Sequence, residues 1–511
     1  MLSHPAPAAD SLQRSVLSPA LLLAPLLFCL LSETGQSAEP TAEAETWEVV
    51  LLQGKRIGYT RTATRTVESP EGEVRVTEQL GQMQLLRGGQ QFQTTVQLTL
   101  QEGADGSLLR LLAVTRNPPA SETEIVAERQ GDNLQVHITS AGRTSQQNIA
   151  NAVRLKSSVY LEHLLQERDL PVGESVHFET FDPQLGQVVT ISAKRFSSES
   201  TKVWGGEIER LERLIMTNSG IPGMLTTIYF RADTKAVVKT AVPLLGMESY
   251  SVTEAEALAE VEEFDQLTAS FITLKTEHDL SAVQSARFKL NIPSDLGDLK
   301  FPAAQGQSVK QLSPGAWELR VQPAGPRSAL PKPDAPAPGP EYLEPSRCIE
   351  CTAPLIQQLC EQALSNVERN DSASVAVMLE KFVSQHITRR DLASGLATAL
   401  EVAESRSGDC TEHAVLLVAL LRAAGIPARV VLGFVHSSRE QALIGHMWTE
   451  AWIDGGWVPL DATRARGGTG GGHIKINDSA LAGAGTVPAA ELLPLVFLQG
   501  RLKVELLEVE P

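Results

Sequence analysis

The chain lacks any basic cluster. Its 44 Lys and Arg stand against 61 Asp and Glu, a net charge of -17, and so acidic a surface repels phosphate backbones. Nucleic acid is excluded as a partner. The N-terminal apolar run, Val16 to Leu31, is interrupted by Pro19 and Pro25 and is shorter than the roughly 20 residues of a membrane-spanning helix. Cysteine is scarce, at five in 511 residues. Cys348 and Cys351 form a Cys-x-x-Cys without a second Cys/His pair at zinc-finger spacing, so a zinc site is not expected. There is no acidic loop of the EF-hand kind. No metal and no cofactor is expected.

What remains is a long chain with ample material for cores. At 511 residues and 42% apolar content, three or four domains are expected. Arg14, the Val16 to Leu31 run and the small residues Gly35, Ser37 and Ala38 read as an export signal over residues 1–38. Cleavage is expected near Ser37 or at Ala42-Glu43-Ala44, with a periplasmic or extracellular product. An uncleaved N-terminal anchor is the alternative, and the one route to a membrane. Cys29 lacks the small neighbours of a lipidated cysteine. Removing the signal leaves Cys348, Cys351, Cys360 and Cys410. Cys360 lies mid-helix, about 13 Å of helical rise beyond Cys351, so Cys348 with Cys351 is the feasible disulfide.

Residues 46–265 read as a large antiparallel β domain. Trp47 to Leu52 turns at Gln53-Gly54 into Ile57-Gly58-Tyr59, and Gln82 to Leu86 turns at Gly88-Gly89 into Phe92 to Leu100. In that last segment Phe92, Val96, Leu98 and Leu100 alternate with Gln93, Gln97 and Thr99, which gives one buried and one wet face. Thr226 to Ala232 and Ala236 to Thr240 form another hairpin, and Ser158 to Gln166 a short helix. The sheet is expected to be curled or sandwiched, and carries no cluster of catalytic residue types. Residues 266–322 read as a small β unit, with strands at Ala286 to Ile292 and Ala316 to Val321. Residues 323–340 hold seven prolines in eighteen positions and read as a semi-rigid spacer. Residues 341–511 form the last domain, with helices over Pro354 to Val367, Val375 to Gln385 and Leu392 to Ser405, and closing strands at His473 to Ile476 and Leu502 to Leu507.

Within it, Gly408-Asp409-Cys410-Thr411-Glu412-His413 opens a helix. Asp409 is an N-cap acceptor, and Glu412 completes a capping box. The run Ala414 to Ala424 is apolar nearly all round, which marks a buried helix, and Gly425 and Pro427 stop it. Cys410 thus sits at the first helical position, where unpaired N–H groups and the helix dipole favour thiolate. The plain alternative is a small core residue.

Downstream, Arg429 to Val435 is a buried strand and Gly445 to Ile453 an alternating one. Asp454-Gly455 is a type I′ hairpin signal, and Trp457 to Asp461 the return strand. A two-residue loop pairs Ile453 with Gly456 and His446 with Thr463, so Asp461 shares a face with His446 as a diagonal neighbour. Cys, then His, then Asp is the arrangement of an activated thiol. Cys410 attacks an acyl carbon, His446 moves the proton and Asp461 holds the tautomer. His413, one turn after Cys410, is a rival base directed along the helix axis. Trp448 is a candidate wall of the cleft, Trp452 reads as core, and the Gly467 to Gly472 loop as a gate or a plain connector.

Gly408-Asp409-Cys410, the run Leu420 to Arg429, His446-Met447-Trp448-Thr449-Glu450 and Gly456 to Thr463 resemble the core of the transglutaminase-like superfamily, over residues 341 to 465. The resemblance implies an α+β, papain-like fold, helices packed on an antiparallel sheet, and a Cys410, His446, Asp461 triad. It implies a peptide or protein substrate and a thioester on Cys410, resolved by hydrolysis or acyl transfer. The β-rich N-terminal part resembles extensions on some exported bacterial members. A member without activity would serve as a binding or assembly module.

Overall fold

The computed structural model describes residues 44–69, 72–117, 122–140, 143–296, 299–390, 397–482 and 489–511. The export signal expected at residues 1–38 lies outside them. Among the described residues, no helix is long and apolar enough to cross a membrane.

Short positive-φ turns build the first unit. Gln53-Gly54 (φ 51° and 79°) and Gly88-Gly89 (φ 59° and 81°) give the backbone the twist that two-residue hairpins need. The result is a 15-stranded sheet in which Ala44–Leu52 lies between Lys55–Ser69 and Met247–Val252. Its neighbours run antiparallel except Leu155–Lys156, which lies parallel to Ser175–Asp182. The sheet is one continuous run of strands, and its two arms share a core. Leu98, Leu111, Ile125 and Val136 from one arm share a buried cluster with Leu155 and Phe181 from the other. The helix Tyr160–Glu167 packs nearby through Leu161 and Leu165.

A second sheet carries the candidate chemistry. Ala442–Ile453 is flanked by Ala428–Ser437, which in turn pairs with His473–Ser479. The other edge of Ala442–Ile453 is held by Ile272–Thr273 and Gly456–Leu460. Cys410–Ala423 packs on this sheet, and Pro354–Ala363, Ser372–His386 and Ala399–Ser405 pack around the helix. Val415 through Leu421 are fully buried, which is why the helix needs no polar face.

Three expectations change. The C-terminal strand, Lys503–Glu510, is not an edge of the sheet that carries His446. It pairs with Ser285–Asn291, so that the small β unit becomes a four-stranded sheet closed by the chain's end. That sheet also contains Gln307–Ser313, whose polar, largely exposed sequence gives no strand signal. The proline-rich stretch does not stand clear as a spacer. Ala324 and Thr469 exchange backbone hydrogen bonds at 3.3 and 2.8 Å, and Lys332 Nζ donates to the Ile453 carbonyl at 2.8 Å, so the segment is strapped to the catalytic sheet. Lastly, the disulfide expected between Cys348 and Cys351 is not formed: both are buried thiols, as are Cys360 and Cys410.

Candidate active site

Cys410 occupies the first position of the helix Cys410–Ala423. Asp409 Oδ1 accepts from Thr411 N at 2.8 Å and Thr411 Oγ1 at 2.9 Å, while Glu412 Oε2 accepts from the Asp409 N–H at 2.8 Å. Gly408 makes this box possible. Its φ is 151°, and a Cβ there would come within 2.3 Å of the Glu412 side chain.

The sulfur faces a gap in the ladder. On the outer edge of Ala442–Ile453, the partners Ile272–Thr273 reach only Leu443 and Gly456–Leu460 only Thr449. Among the described residues, the stretch between them has no strand partner on that side. The first turn of the Cys410 helix lies against it, and the Met447 N–H donates to the Cys410 sulfur.

Cys410 is fully buried, and its ionisation runs against the expectation. Burial pushes the thiol well above its ordinary value, and the charge of Asp409 adds to the rise. The Met447 N–H and the Arg87 guanidinium oppose it without prevailing. Two of the first-turn donors expected to favour thiolate, the Thr411 and Glu412 N–H groups, are taken up by the Asp409 side chain. The resting group is therefore a thiol, because desolvation outweighs the helix dipole.

His446 and Asp461 meet. His446 Nε2 lies 2.8 Å from Asp461 Oδ2, with both residues buried. His446 Nδ1 is buried and makes no hydrogen bond. With Nε2 donating to a carboxylate, Nδ1 is the atom that holds the lone pair in the neutral ring. Asp461 Oδ1 accepts from Thr463 N and Oγ1 at 3.0 and 2.6 Å. Burial pushes the Asp461 carboxyl up, but the charge of His446 and hydrogen bonds from His446 and His473 outweigh it. They hold the carboxyl well below the ordinary carboxylate range.

His473, expected only as part of a closing strand, places its Nε2 3.0 Å from the same Asp461 Oδ2. The Gly470 N–H donates to its Nδ1 at 3.1 Å, which assigns the proton to Nε2. Burial pushes its pKa down to about 4, so the ring is neutral. His446, Asp461 and His473 place three possible metal-ligand atoms within 4.8 Å of one another. The tautomer opposes an ion: a protonated Nε2 has no lone pair to give.

Glu380, buried on the helix Ser372–His386, also reaches Asp461. Its Oε1 accepts from Asp461 N at 2.6 Å and Gly468 N at 2.7 Å, tying the Asp461 backbone to the glycine-rich loop. Burial pushes its pKa up to about 7.

Trp448 is 3% exposed and is not the wall of an open cleft. Its ring stacks on His446 at 5.9 Å and 25° and meets His473 edge-on at 5.5 Å, making a shelf beneath both imidazoles. Gly433 leaves room for it, since a Cβ there would reach the ring at 2.6 Å. His413 donates from Nδ1 to the Asp409 carbonyl at 2.6 Å and is held along its own helix. Trp452 packs edge-on against Trp457 at 5.4 Å.

The chain is 35% identical over 74 residues to an uncharacterized protein of Mycobacterium leprae, covering 13% of this chain and 26% of that one. It is 38% identical over 69 residues to a protein-glutamine gamma-glutamyltransferase of Pseudomonas aeruginosa, covering 12% of this chain and 10% of that one. The chain thus spans about a quarter and a tenth of the curated relatives it matches. A solved structure, a candidate cysteine protease from Cytophaga hutchinsonii, aligns with 45% of this chain and 84% of its own at 17% identity and a TM-score of 0.28. Residues 359–462 match the transglutaminase-like superfamily, and the chain carries a domain of that superfamily.

Proposed function

We propose that this chain is a cysteine enzyme that transfers acyl groups from amide or peptide substrates. Cys410 adds to the carbonyl carbon while its proton passes to His446 Nδ1. Collapse of the tetrahedral intermediate breaks the C–N bond, and His446 returns the proton to the departing amine. The thioester then yields to water or to a second amine, which regenerates the thiol. Because the resting sulfur is protonated, His446 acts as general base at the moment of attack. Asp461 orients the ring throughout.

One observation carries the reading. His446 gives Nε2 to Asp461 and keeps Nδ1 open, while the next residue's N–H touches the Cys410 sulfur. The name of the Pseudomonas relative, a protein-glutamine gamma-glutamyltransferase, agrees with acyl transfer from a glutamine side chain. Export belongs to the same proposal, and its support is the Arg14 and Val16 to Leu31 segment of the sequence. The complete burial of Cys410 favours a second reading, a silent fold that serves as a binding module.

Incubation with a glutamine peptide, with and without a primary amine, separates these. Intact-mass analysis should find an acyl adduct on Cys410 that is absent from Cys410→Ala. Ammonia release without amine incorporation assigns hydrolysis, and amine incorporation assigns crosslinking. Neither adduct nor ammonia leaves the silent fold.

A further inference from the structure

The N-terminal β unit reaches the candidate active site through one side chain. Arg87 ends the strand Gly72–Arg87, immediately before the Gly88-Gly89 turn. Its Nη2 lies 2.6 Å from Asp409 Oδ2, and the two side chains are 3% and 1% exposed. Asp409 divides its carboxylate between two tasks. Oδ1 caps the Cys410 helix through Thr411, and Oδ2 is given to Arg87.

The hairpin tip that delivers Arg87 is fixed to the catalytic unit. Gly88 N and Gly89 N donate to Asp265 Oδ1 and Oδ2 at 3.2 and 2.9 Å, and Leu86 N donates to the Phe264 carbonyl at 2.9 Å. Asp265 also caps the short helix Gln266–Ala269. That helix leads directly into Ile272–Thr273, which pairs with Leu443 and Ala442 on the strand carrying His446. A path of backbone hydrogen bonds and caps therefore joins the Arg87 turn to the His446 strand, while the Arg87 side chain reaches the Cys410 helix through Asp409.

Charge gives the contact its purpose. Asp409 is covalently next to Cys410, and a carboxylate there opposes any negative charge that develops on sulfur. Glu412, buried one turn on, adds little charge at neutral pH, because burial and then the Asp409 charge push its pKa up to about 8. Other titratable groups close by, among the described residues, are His446, from the strand opposite, and His413, whose Nδ1 is bound to the Asp409 carbonyl and whose ring feels the charges of Asp461 and Arg390. Arg87 is the cation set against Asp409.

We propose that Arg87 is a positioning residue for Cys410, supplied by the β unit: it neutralises and orients Asp409 so that the sulfur can take on negative charge. The β unit is then part of the active site. The catalytic segment at residues 359–462 is incomplete without it. This rests on Cys410 acting as the nucleophile.

Thiolate absorbance of the full chain, titrated against Cys410→Ser in the same background, tests this without requiring turnover. Arg87→Gln leaves Asp409 unopposed, and the Cys410 midpoint should rise by about one pH unit, a roughly tenfold loss of thiolate at fixed pH. Arg87→Lys should restore it. Asp409→Asn keeps the cap and leaves Arg87 unopposed, so the midpoint should fall. These opposite shifts are not the result of loosened packing, which would move both variants the same way. If Arg87→Gln does not fold, Asp409→Asn and Arg87→Lys decide alone. An unchanged or raised midpoint in Asp409→Asn overturns the proposal. A wild type that titrates as described but forms no acyl adduct would instead remove the enzymatic reading, leaving the electrostatic one intact.

Discussion

His473 and Asp461 form the contact that sets this site apart from a plain Cys, His, Asp arrangement: His473 Nε2 lies 3.0 Å from the oxygen that also holds His446 at 2.8 Å. The His473 ring is buried and neutral, with its pKa pushed down to about 4 from the ordinary 6.5. Between those values the unfolded chain binds a proton that the folded chain refuses. The stability this group contributes is thus complete above about pH 6.5 and is lost as pH falls towards 4, by about 3 kcal/mol at the limit. His473→Gln keeps a donor and cannot titrate. Thermal unfolding from pH 7 to pH 4 should show the wild type losing more stability than the variant, and identical slopes would contradict the buried neutral assignment.

Glu380 works in the opposite sense. Its pKa is pushed up to about 7 by burial, so the folded chain holds a proton that the unfolded chain loses from about 4.5 upward. Its contribution is complete below 4.5 and is lost as pH rises through 7, on the order of 2–3 kcal/mol. Glu380→Gln keeps the carbonyl that accepts from Asp461 N and Gly468 N and removes the charge. The variant should melt higher than wild type at pH 8 and match it at pH 4. The two effects overlap between pH 4.5 and 6.5, where the wild type should appear flatter than either variant.

Asp461→Asn tests the catalytic assignment more directly. An amide can retain one hydrogen bond to an imidazole but would not stabilise the cation that His446 becomes in the proposed reaction. Turnover should fall on the order of 10³- to 10⁴-fold. Stability should change less, because Thr463 N and Oγ1 still have an acceptor at 461. Equal turnover would remove Asp461 from the mechanism.

Local chemistry is legible in this chain and tertiary chemistry is not. The Asp409 and Glu412 capping box, the stop at Gly425 and the Asp454-Gly455 turn (φ 47° and 76°) depend on neighbours within a few residues, and the structure contains each of them. The hairpin pairs Ile453 with Gly456. The pairing ends at Leu460, so Thr463 does not oppose His446, yet Asp461 still leaves the strand beside it. Ionisation of Cys410 was not legible, because desolvation depends on everything packed around the sulfur. Arg87 gave no signal, since 322 residues separate it from Asp409. His473 and Glu380 reach Asp461 from a loop closure and a separate helix, and no spacing rule links them. The C-terminal strand had the right period but two possible sheets to join.

The charged network on the far part of the His446 strand supplies the final test. Glu450 is 1% exposed and receives Lys475 Nζ at 2.7 Å and Arg429 Nη2 at 2.7 Å. Arg429 also lies over the Trp457 ring at 4.0 Å. Burial pushes Glu450 up, but the Lys475 and Arg429 charges outweigh it and hold the carboxyl below its ordinary value. Glu450→Gln removes the acceptor charge while leaving the buried Lys475 cation in place. Breaking a buried pair from one side costs about 3–5 kcal/mol, whereas replacing both partners by apolar groups of like volume is often neutral. Glu450→Gln should therefore lower the melting temperature strongly, and Glu450→Met with Lys475→Met should recover part of the loss. Asp478, 2.8 Å from both Lys475 Nζ and Arg429 Nη1, limits that recovery, because the double variant leaves it facing Arg429 alone. A double variant no more stable than Glu450→Gln would show that the network specifies the strand arrangement rather than merely neutralising its own charges.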